Sequence, residues 1–452
     1  MDKQKKAGQG ISRRDFLGSA AGMALFTIVP SHVLGADGQT PPSRKLNVAG
    51  VGVGGMGGGN IAEIAKTENI VALCDVDFSY AAGTFKNHPK ARQFKDYRKM
   101  LDEMGKDIDA VVIATPDHTH AVVAMECMKR GKHVYVQKPL TKTVYEARMM
   151  AEAARKYNVI TQMGNQGHSG EGIRLVCEWI WDGAIGEIRE VHAWTNRPIW
   201  PQAISRPQET PAIPETLDWD LWIGPSPMRP YHPAYLPFKW RGWRDFGTGA
   251  LGDMACHILD PVFWSLKLKY ATSVQGSCVK QDDNTLETYP LGSVIHLEYP
   301  SRGDLPPVTI HWYDGGLMPE RPAELEADRK MGDGDGGVLF VGDKGKLMCG
   351  CYGRGPQLIP YTKMKEYKRP AKTLPRVETS HEMNWVEACK SGKQASTPFD
   401  YAGPFTEMVL MGNLSLFKPN EKILWDGDKM QVTNFPELTQ FINPAYREGW
   451  SL

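Results

Sequence analysis

The stretch Leu46-Asn47-Val48-Ala49-Gly50-Val51-Gly52-Val53-Gly54-Gly55-Met56-Gly57 decides the fold of the first part of the chain. Its first half is mostly apolar and predicts a buried strand, and residues 60–66 predict a helix. Glycines at a strand-to-helix turn let the backbone approach a pyrophosphate, whose charge is met by amide N–H groups at the start of the helix. The stretch therefore predicts a dinucleotide site that includes Gly52, Gly54, Gly55, Met56 and Gly57.

A carboxylate follows the next predicted strand, 70–74, at Asp75. An aspartate in this place accepts hydrogen bonds from the adenosine ribose and repels a 2′-phosphate. The sequence therefore favours NAD over NADP as the cofactor. Asp77 is a nearby alternative for the same role.

Strand and helix patterns alternate over residues 45–161, which predicts an α/β Rossmann domain with a parallel sheet covered on both faces. Further strands are predicted at 110–114 and 133–136, with a helix at 121–130 between them. Ligands of such open sheets bind at the carboxyl ends of the strands. We therefore assign the residues that follow these two strands to the site: Thr115, Pro116, His120, Gln137 and Lys138.

Residues 162–452 predict a second domain, of the α+β type, with an open and mostly antiparallel sheet. Its strand patterns cover 188–194, 273–279, 293–297, 308–312 and 337–341. An open sheet of this kind has one face available to a partner subunit. We therefore expect a homo-oligomer that forms through this sheet.

The second domain also supplies candidate substrate residues. A long segment, 198–246, is rich in proline and aromatic residues, and loops of this length usually serve a site or a contact. Aromatic rings stack on pyranose faces, and an arginine can donate a planar fork of N–H groups to hydroxyls. Subunit packing is the alternative for this segment, and a loop-stabilising hydrogen bond is the alternative for His168. The candidates are Asn165, His168, Arg197, Tyr235, Arg241 and Trp243.

A helix is predicted at 249–264, on which Asp253 and His257 are four residues apart and share a face. Oxidation of an alcohol by NAD requires a hydride acceptor, the nicotinamide, and a proton acceptor. His257 fits the second role because the ordinary pKa of imidazole, about 6.5, lies near working pH. Asp253 is expected to orient His257 or to bind a neighbouring hydroxyl.

Several motifs together resemble the glucose-fructose oxidoreductase and inositol dehydrogenase family, also called Gfo/Idh/MocA. They are the glycine turn, Ala114-Thr115-Pro116 with His120, Gly131-Lys132-His133-Val134 leading to Gln137-Lys138-Pro139, and Gly249-Ala250-Leu251-Gly252-Asp253 with His257. The resemblance implies that Lys138 is the catalytic lysine. Family members carry glutamate where this chain has Gln137. Because Gln137 has no charge, Lys138 is expected to release its proton more easily than in relatives.

The first 36 residues predict a twin-arginine export signal. Ser12-Arg13-Arg14-Asp15-Phe16-Leu17 places an arginine pair before an uncharged stretch, 16–29, and small residues follow at Gly35 and Ala36. The uncharged stretch is shorter than the roughly 20 apolar residues that span a bilayer, so we expect a signal and not a permanent membrane anchor. Residues 37–44 are predicted to form a linker, and the protein is expected in the periplasm.

The balance of charged residues and the positions of the cysteines limit the kinds of partner and metal site that we expect. Lys and Arg number 53 and Asp and Glu 52 among 452 residues, and this balance argues against a nucleic-acid partner. Cys74, Cys127 and Cys177 fall in apolar or regular segments, which predicts no disulfides. Cys349 and Cys351 have no supporting His/Cys cluster, so we predict no metal.

The sequence therefore predicts an NAD-dependent oxidoreductase that acts on a hydroxyl of a sugar, glycoside or polyol. Free NAD is scarce outside the cytoplasm, so an exported enzyme would retain its cofactor and regenerate it in place. One route oxidises one sugar and reduces another. A second oxidises a ring hydroxyl transiently and then eliminates the aglycone, as in NAD-dependent glycoside hydrolases or lyases. A non-catalytic sugar-binding protein is the contrasting alternative.

Overall fold

A six-stranded parallel sheet forms the first part of the protein, in the order β3-β2-β1-β4-β5-β6. Every neighbouring pair runs parallel, as predicted. The strand order reverses between β1 and β4, which creates the crevice where α/β sheets bind ligands. The strands are β1 (Asn47–Val51), β2 (Asn69–Cys74), β3 (Arg92–Phe94), β4 (Ala110–Ile113), β5 (His133–Val136) and β6 (Thr161–Met163).

Five helices connect these strands: α1 (Met56–Ile64), α2 (Ala82–Asn87), α3 (Tyr97–Met104), α4 (Asp117–Lys129) and α5 (Val144–Tyr157). Helices α1 and α4 both begin earlier than predicted, at Met56 and Asp117. Their first turns contain glycine or polar residues, which contribute no apolar periodicity to the sequence pattern.

A nine-stranded sheet forms the second part, in the order β13-β12-β11-β7-β10-β9-β8-β14-β15. Within it β7 and β10 pair in parallel, and the other pairs are antiparallel. The predicted open, mostly antiparallel sheet is confirmed. Its strands are β7 (Ile188–Thr195), β8 (Ser273–Val279), β9 (Gly292–Tyr299), β10 (Val308–Tyr313), β11 (Gly336–Gly342), β12 (Gly345–Gly350), β13 (Gln357–Ile359), β14 (Lys422–Asp426) and β15 (Gln431–Val432).

This computed structural model describes residues 45–279 and 287–452, and Leu46–Leu452 form one unit. The predicted signal, 1–36, and linker, 37–44, lie outside the described residues. The remaining helices are α6 (Glu171–Trp181), α7 (Trp219–Ile223), α8 (Gly249–Ile258), α9 (Asp260–Ser265), α10 (Tyr361–Glu366), α11 (His381–Ser391), α12 (Phe399–Ser415) and α13 (Thr439–Ile442).

The C-terminal third of the chain returns to the parallel sheet. Helix α11 packs against α1 and β5, and α12 packs against α5 and β6. Trp385 of α11 is fully buried, with its ring edge-on to Tyr135 of β5 at 5.7 Å. The predicted domain boundary after residue 161 cuts β6, which pairs with β5. The two predicted sequence blocks are therefore interleaved in space, and the boundary itself stays a prediction.

The single helix predicted over 249–264 is wrong. Two helices, α8 and α9, meet at Leu259, and Pro261 lies in the first turn of the second one. A proline ring clashes with the carbonyl of the preceding turn and removes an N–H donor, which favours a break in the helix at this position.

No helix in residues 45–279 and 287–452 combines the length and apolar character that a bilayer crossing requires. Cys74, Cys127 and Cys177 are buried thiols outside any disulfide, as predicted.

Candidate active site

A cavity of about 380 Å³ lies at the carboxyl ends of the parallel strands. One wall is formed by the glycine turn and by the residues that follow β2, β4 and β5. The other wall comes from the 198–246 segment. The predicted cofactor residues that line the cavity are Gly52, Gly54, Gly55, Met56, Asp75, Thr115, Pro116 and Gln137.

The glycine turn has the geometry that a phosphate-binding loop needs. Gly52 has φ +77°, and a Cβ there would lie 2.6 Å from Thr115 N. A Cβ on Gly57 would lie 2.0 Å from Gly52 O, so only glycine lets α1 begin so close to the turn. The backbone of this turn therefore lies open to the cavity, which suits a pyrophosphate group.

Asp75 holds the turn from the end of β2. Its Oδ2 accepts hydrogen bonds from Val53 N at 2.8 Å and from Gly54 N at 3.0 Å. Burial raises the pKa of the Asp75 carboxyl to about 6, although the backbone N–H groups oppose this. The Asp77 carboxylate instead accepts hydrogen bonds from Ser79 N and Tyr80 N. Both aspartates line the cavity, but of the two only Asp75 accepts hydrogen bonds from the glycine turn.

Gln137 and Thr115 complete the cofactor side of the cavity. Gln137 Nε2 donates to Asn60 Oδ1 at 3.0 Å, and Asn60 Nδ2 donates to Glu382 Oε1 at 2.7 Å. Gln137 thus joins β5 to helices α1 and α11. Thr115 Oγ1 is buried and has no hydrogen-bond partner in the described residues. A hydroxyl aimed at this cavity without a partner is suited to a polar group of a dinucleotide.

Three charged side chains meet at one end of the cavity, where Lys138 and Arg241 line it and their shared partner Asp253 does not. Lys138 Nζ donates to the carbonyl oxygen of Asp253 at 2.8 Å and to its Oδ1 at 2.9 Å. Arg241 Nε also donates to Asp253 Oδ1, at 2.9 Å. Burial raises the pKa of the Asp253 carboxyl, but the two cations and their hydrogen bonds lower it by more, to below its usual range. Lys138 therefore has a carboxylate partner although Gln137 replaces the glutamate of the family.

Asp117 is a cavity residue that the sequence patterns did not single out. It is the first residue of α4, is buried, and lines the cavity near Lys138. Thr248 Oγ1 donates to Asp117 Oδ2 at 2.6 Å. Burial raises the pKa of the Asp117 carboxyl to about 7, and the Thr248 hydrogen bond and the charges of Arg241 and Lys138 only partly oppose it. Asp117 could have been identified from the sequence by its position directly after Thr115-Pro116.

His257 lies one helical turn beyond Asp253, away from the cavity lining. Its ring packs on Tyr352 at 4.6 Å, and its buried Nδ1 has no partner within the described part of the chain. Burial, followed by the charge of Lys138, lowers the pKa of His257 well below its usual value. Its imidazole is therefore neutral at neutral pH.

Three predicted site residues, His120, Asn165 and His168, form hydrogen bonds with other groups of the protein. His120 contacts the carbonyl oxygens of Thr115 at 2.8 Å and Pro139 at 2.9 Å, and it supports the cavity from behind. His168 Nδ1 lies 2.9 Å from Asp260 Oδ1, and Asn165 Nδ2 donates to Asp260 Oδ2 at 2.9 Å. For His168 the loop-stabilising alternative agrees with these contacts.

Tyr235 and Trp243, two predicted substrate residues, are buried and do not line the cavity. Both rings are buried in an aromatic cluster built around α7, where they meet edge-on at 4.8 Å. Trp243 Nε1 donates to Ala234 O at 2.9 Å. The 198–246 segment is rich in aromatic residues because it has a hydrophobic core of its own.

Phe238 and Trp240 of the same segment line the cavity instead. The Arg241 guanidinium lies 4.2 Å from the Trp240 ring centroid and 4.5 Å from that of Phe238. Arg241 is thus the one aromatic-segment candidate that reaches the cavity. Arg197, at the end of β7, forms an ion pair with Asp335 at 3.3 Å and does not line the cavity.

The parallel sheet, its glycine turn and the cavity define an NAD-binding oxidoreductase fold. Residues 46–165 match the family model described as the oxidoreductase family, NAD-binding Rossmann fold, and residues 190–299 match the one described as the oxidoreductase family, C-terminal alpha/beta domain. The chain belongs to the Gfo/Idh/MocA family of oxidoreductases, as its motifs predicted.

Curated relatives match part of the chain. A levoglucosan dehydrogenase of Pseudarthrobacter phenanthrenivorans is 28% identical over 166 residues, which cover 36% of this chain and 34% of the relative. A glycosyl hydrolase family 109 protein of Shewanella sp. (strain ANA-3) is 25% identical over 205 residues, which cover 39% of this chain and 44% of the relative. The matched region thus spans less than half of either relative.

A solved structure of the WlbA dehydrogenase from Bordetella pertussis, in complex with NADH and UDP-GlcNAcA, shares the fold over most of the chain. The TM-score is 0.58 at 19% identity, with 84% of this chain and 99% of that chain covered.

Proposed function

We propose that this protein oxidises a hydroxyl of a sugar, glycoside or polyol with NAD as the hydride acceptor. The observation that carries the proposal is that Lys138 and Arg241 line the same cavity as the glycine turn and that both contact the Asp253 carboxylate. The levoglucosan dehydrogenase relative, 28% identical over the matched region, supports a carbohydrate substrate.

Lys138 is proposed to hold the reacting oxygen. An ammonium group has three N–H donors, and two of them are used by the carbonyl and carboxylate oxygens of Asp253. The third is left for a substrate oxygen, whose developing negative charge the ammonium group stabilises. When bound, NAD supplies the hydride acceptor. Asp253 fixes the position of the lysine and stays ionised because its pKa is lowered.

The proton of the hydroxyl needs an acceptor near Lys138. We propose Asp117 for this role because it lines the cavity and its pKa, raised to about 7 by burial, lies near working pH. His257, the acceptor that the sequence analysis predicted, is the alternative. Its buried Nδ1 has no partner in the described residues, but its lowered pKa makes the imidazole a weak base, and it does not line the cavity.

Substrate binding is proposed to use Arg241 with the rings of Trp240 and Phe238. A guanidinium and adjacent aromatic faces bind the hydroxyls and the apolar face of a pyranose together. A protein that only binds sugar would need these residues, but it would not need a lysine held by a carboxylate, or a carboxyl with a pKa near neutrality, in the cofactor cavity. Turnover decides between the two functions.

The direct experiment is a screen of sugars, glycosides and polyols with NAD and with NADP, followed by absorbance of the reduced nicotinamide. Mass spectrometry of gently denatured protein from its host identifies the retained dinucleotide, for which we expect NAD. An empty protein, or one that holds mostly NADP, would remove the cofactor proposal.

We further propose export through the twin-arginine pathway to the periplasm, with the cofactor installed before export. The support is Arg13-Arg14 followed by the uncharged stretch 16–29. Replacing both arginines with lysine should leave folded, cofactor-loaded precursor in the cytoplasm. Continued export of this double variant would point to another route. We also propose that the protein forms a homo-oligomer through the nine-stranded sheet, because one face of this open sheet points away from the helices and is available to a partner subunit.

The second candidate function is transient oxidation followed by elimination. The glycosyl hydrolase family 109 relative favours it, and a retained cofactor would be regenerated in each cycle. Turnover in heavy water should then place deuterium on the carbon beside the transient ketone, without net formation of NADH. Absence of deuterium together with NADH formation would establish plain dehydrogenation.

A further inference from the structure

Three histidines lie in one row across the outward face of the nine-stranded sheet. His192 of β7 pairs in register with His311 of β10, and His311 pairs in register with His296 of β9. The ring centroids are 4.9 Å apart in the first pair and 4.8 Å apart in the second. Glu190, two residues before His192 on the same strand, points to the same face.

The Glu190 carboxylate joins two of these rings. Its Oε1 lies 3.1 Å from His192 Nε2 and 3.2 Å from His311 Nε2. Ligand atoms of a tetrahedral zinc site, with bonds of about 2.0–2.1 Å, lie about 3.3 Å from one another. The Glu190 oxygen thus already has this spacing from each of the two nitrogens, and all three atoms lie within 4.8 Å of one another.

The other nitrogen of each ring also has a partner. His192 Nδ1 lies 3.1 Å from Tyr313 Oη, and His311 Nδ1 lies 2.6 Å from His296 Nδ1. When Nε2 binds a metal, Nδ1 carries the hydrogen and donates it to such a partner, which fixes the tautomer and the ring orientation. Tyr313 and His296 are therefore in the positions that outer-sphere partners of metal-binding histidines occupy.

The site is open to a cation in the single chain. The side chains of His192 and His311 are 18% and 17% exposed and that of Glu190 is 46% exposed. An ion can therefore enter from solvent before a partner subunit covers this face of the sheet.

We propose that Glu190, His192 and His311 form a binding site for a divalent transition-metal ion of the zinc class, with water in the fourth position. Two imidazoles and a carboxylate are ligands that such ions prefer. The site lies on the sheet face opposite the one covered by α8 and α12, and it is separate from the NAD cavity. In the competing arrangement, both Nε2–H groups simply donate to Glu190 and no ion binds.

The test is equilibrium dialysis and calorimetry of untagged, NAD-loaded protein with Zn²⁺. We expect about one ion per chain in the wild type and at least a tenfold weaker affinity in each of Glu190→Gln, His192→Ala and His311→Ala. His296→Ala removes only the outer partner of His311 and should weaken binding by about 10- to 100-fold. His88→Ala, at the end of α2, is the matched histidine control and should bind as the wild type does.

Co²⁺ gives a second measurement that does not depend on affinity. A four-coordinate Co²⁺ bound by the wild type should produce a visible absorption band that His311→Ala lacks, while the retained NAD reports that the variant is folded. Zn²⁺ binding that is absent in the wild type, or that survives unchanged in both histidine variants, would overturn the proposal.

Discussion

Lys138 Nζ lies 2.9 Å from Asp253 Oδ1, although 115 residues separate the two in the chain. The lysine follows β5 of the parallel sheet, and the aspartate belongs to α8, which packs on the nine-stranded sheet. One partner follows a strand of the first sheet, and the other lies on a helix that packs on the second sheet. The proposed reaction centre therefore forms only where the two sheets come together.

Replacing Lys138 with alanine should lower kcat by about 10²- to 10⁴-fold while NAD stays bound, because the side chain belongs to the reacting end of the cavity and not to the glycine turn. Steady-state kinetics and the dinucleotide content of the purified variant measure the two effects. Lys142→Ala is the matched control, since Lys142 Nζ donates to Arg244 O and does not line the cavity. A Lys138→Ala enzyme with wild-type kcat would remove the lysine from the mechanism.

Asp117 should control the acidic limb of the pH profile. Its carboxyl must be ionised to accept a proton, so kcat/KM should rise through pH of about 7 and then level off. Asp117→Asn should lose this limb and most of the activity. Thr248→Val removes a hydrogen bond that lowers the pKa of Asp117, so it should move the limb to higher pH. An unchanged profile in both variants would leave His257 as the acceptor.

The same carboxyl should affect stability with a defined sign. Its folded-state pKa of about 7 lies above the ordinary value of about 3.9. Between these pH values the folded protein keeps a proton that the unfolded chain has lost, so the free energy of unfolding falls as pH rises from about 4 to about 7. The contribution is at most about 4 kcal/mol. Denaturant melts of Asp117→Asn across this range should show a flatter pH dependence than those of the wild type.

Alanine substitutions of the two aspartates after β2, Asp75 and Asp77, should have different effects on cofactor affinity. Asp75→Ala removes the ribose acceptor and two hydrogen bonds to the glycine turn, so it should weaken NAD binding and reduce the discrimination against NADP. Asp77→Ala should change neither affinity by more than a few fold. Fluorescence titration with both reduced cofactors measures these constants. The reverse pattern would assign the ribose to Asp77.

Two glycines of α1 offer a matched pair. A Cβ at Gly57 would lie 2.0 Å from Gly52 O, whereas a Cβ at Gly59 would meet no atom within 4 Å. Gly57→Ala should therefore lose NAD binding. Gly59→Ala should bind NAD and gain about 0.5–1 kcal/mol of stability, because alanine favours a helix. Thermal melts and dinucleotide content measure both, and equal behaviour of the two variants would contradict the close approach of α1 to the turn.

Local sequence patterns were enough to predict much of the fold but less of the candidate site. The glycine turn, Asp75 and Lys138 could be predicted because a parallel sheet brings its strand ends to one edge, whatever the remaining packing. Tyr235 and Trp243 could not be separated from Trp240 in this way. All lie in one aromatic-rich segment, and only the packing around α7 decides which rings are buried and which line the cavity.

The histidine row and Glu190 could not be predicted for a different reason. His192 and His311 meet because β10 pairs in parallel with β7 inside an otherwise antiparallel sheet. Strand patterns give the direction in which side chains alternate, but they do not give strand order or register. The position of Asp117 after a strand end could be read from the sequence. Its burial, which raises the pKa of its carboxyl, and its hydrogen bond from the distant Thr248 depend on the tertiary packing.

The return of α11 to the parallel sheet bears on how the chain acquires its cofactor during synthesis. Trp385 and Val386 complete a hydrophobic cluster with Val48, Ile61 and Tyr135, which emerge from the ribosome hundreds of residues earlier. Until residues 381–391 are made, that face of the sheet is exposed to water, and contacts of such long sequence separation form slowly. We therefore expect that the nucleotide-binding domain does not fold when it is separated from the rest of the chain. A fragment that ends at residue 165 should aggregate, and loading of the dinucleotide should follow translation of the distant helices.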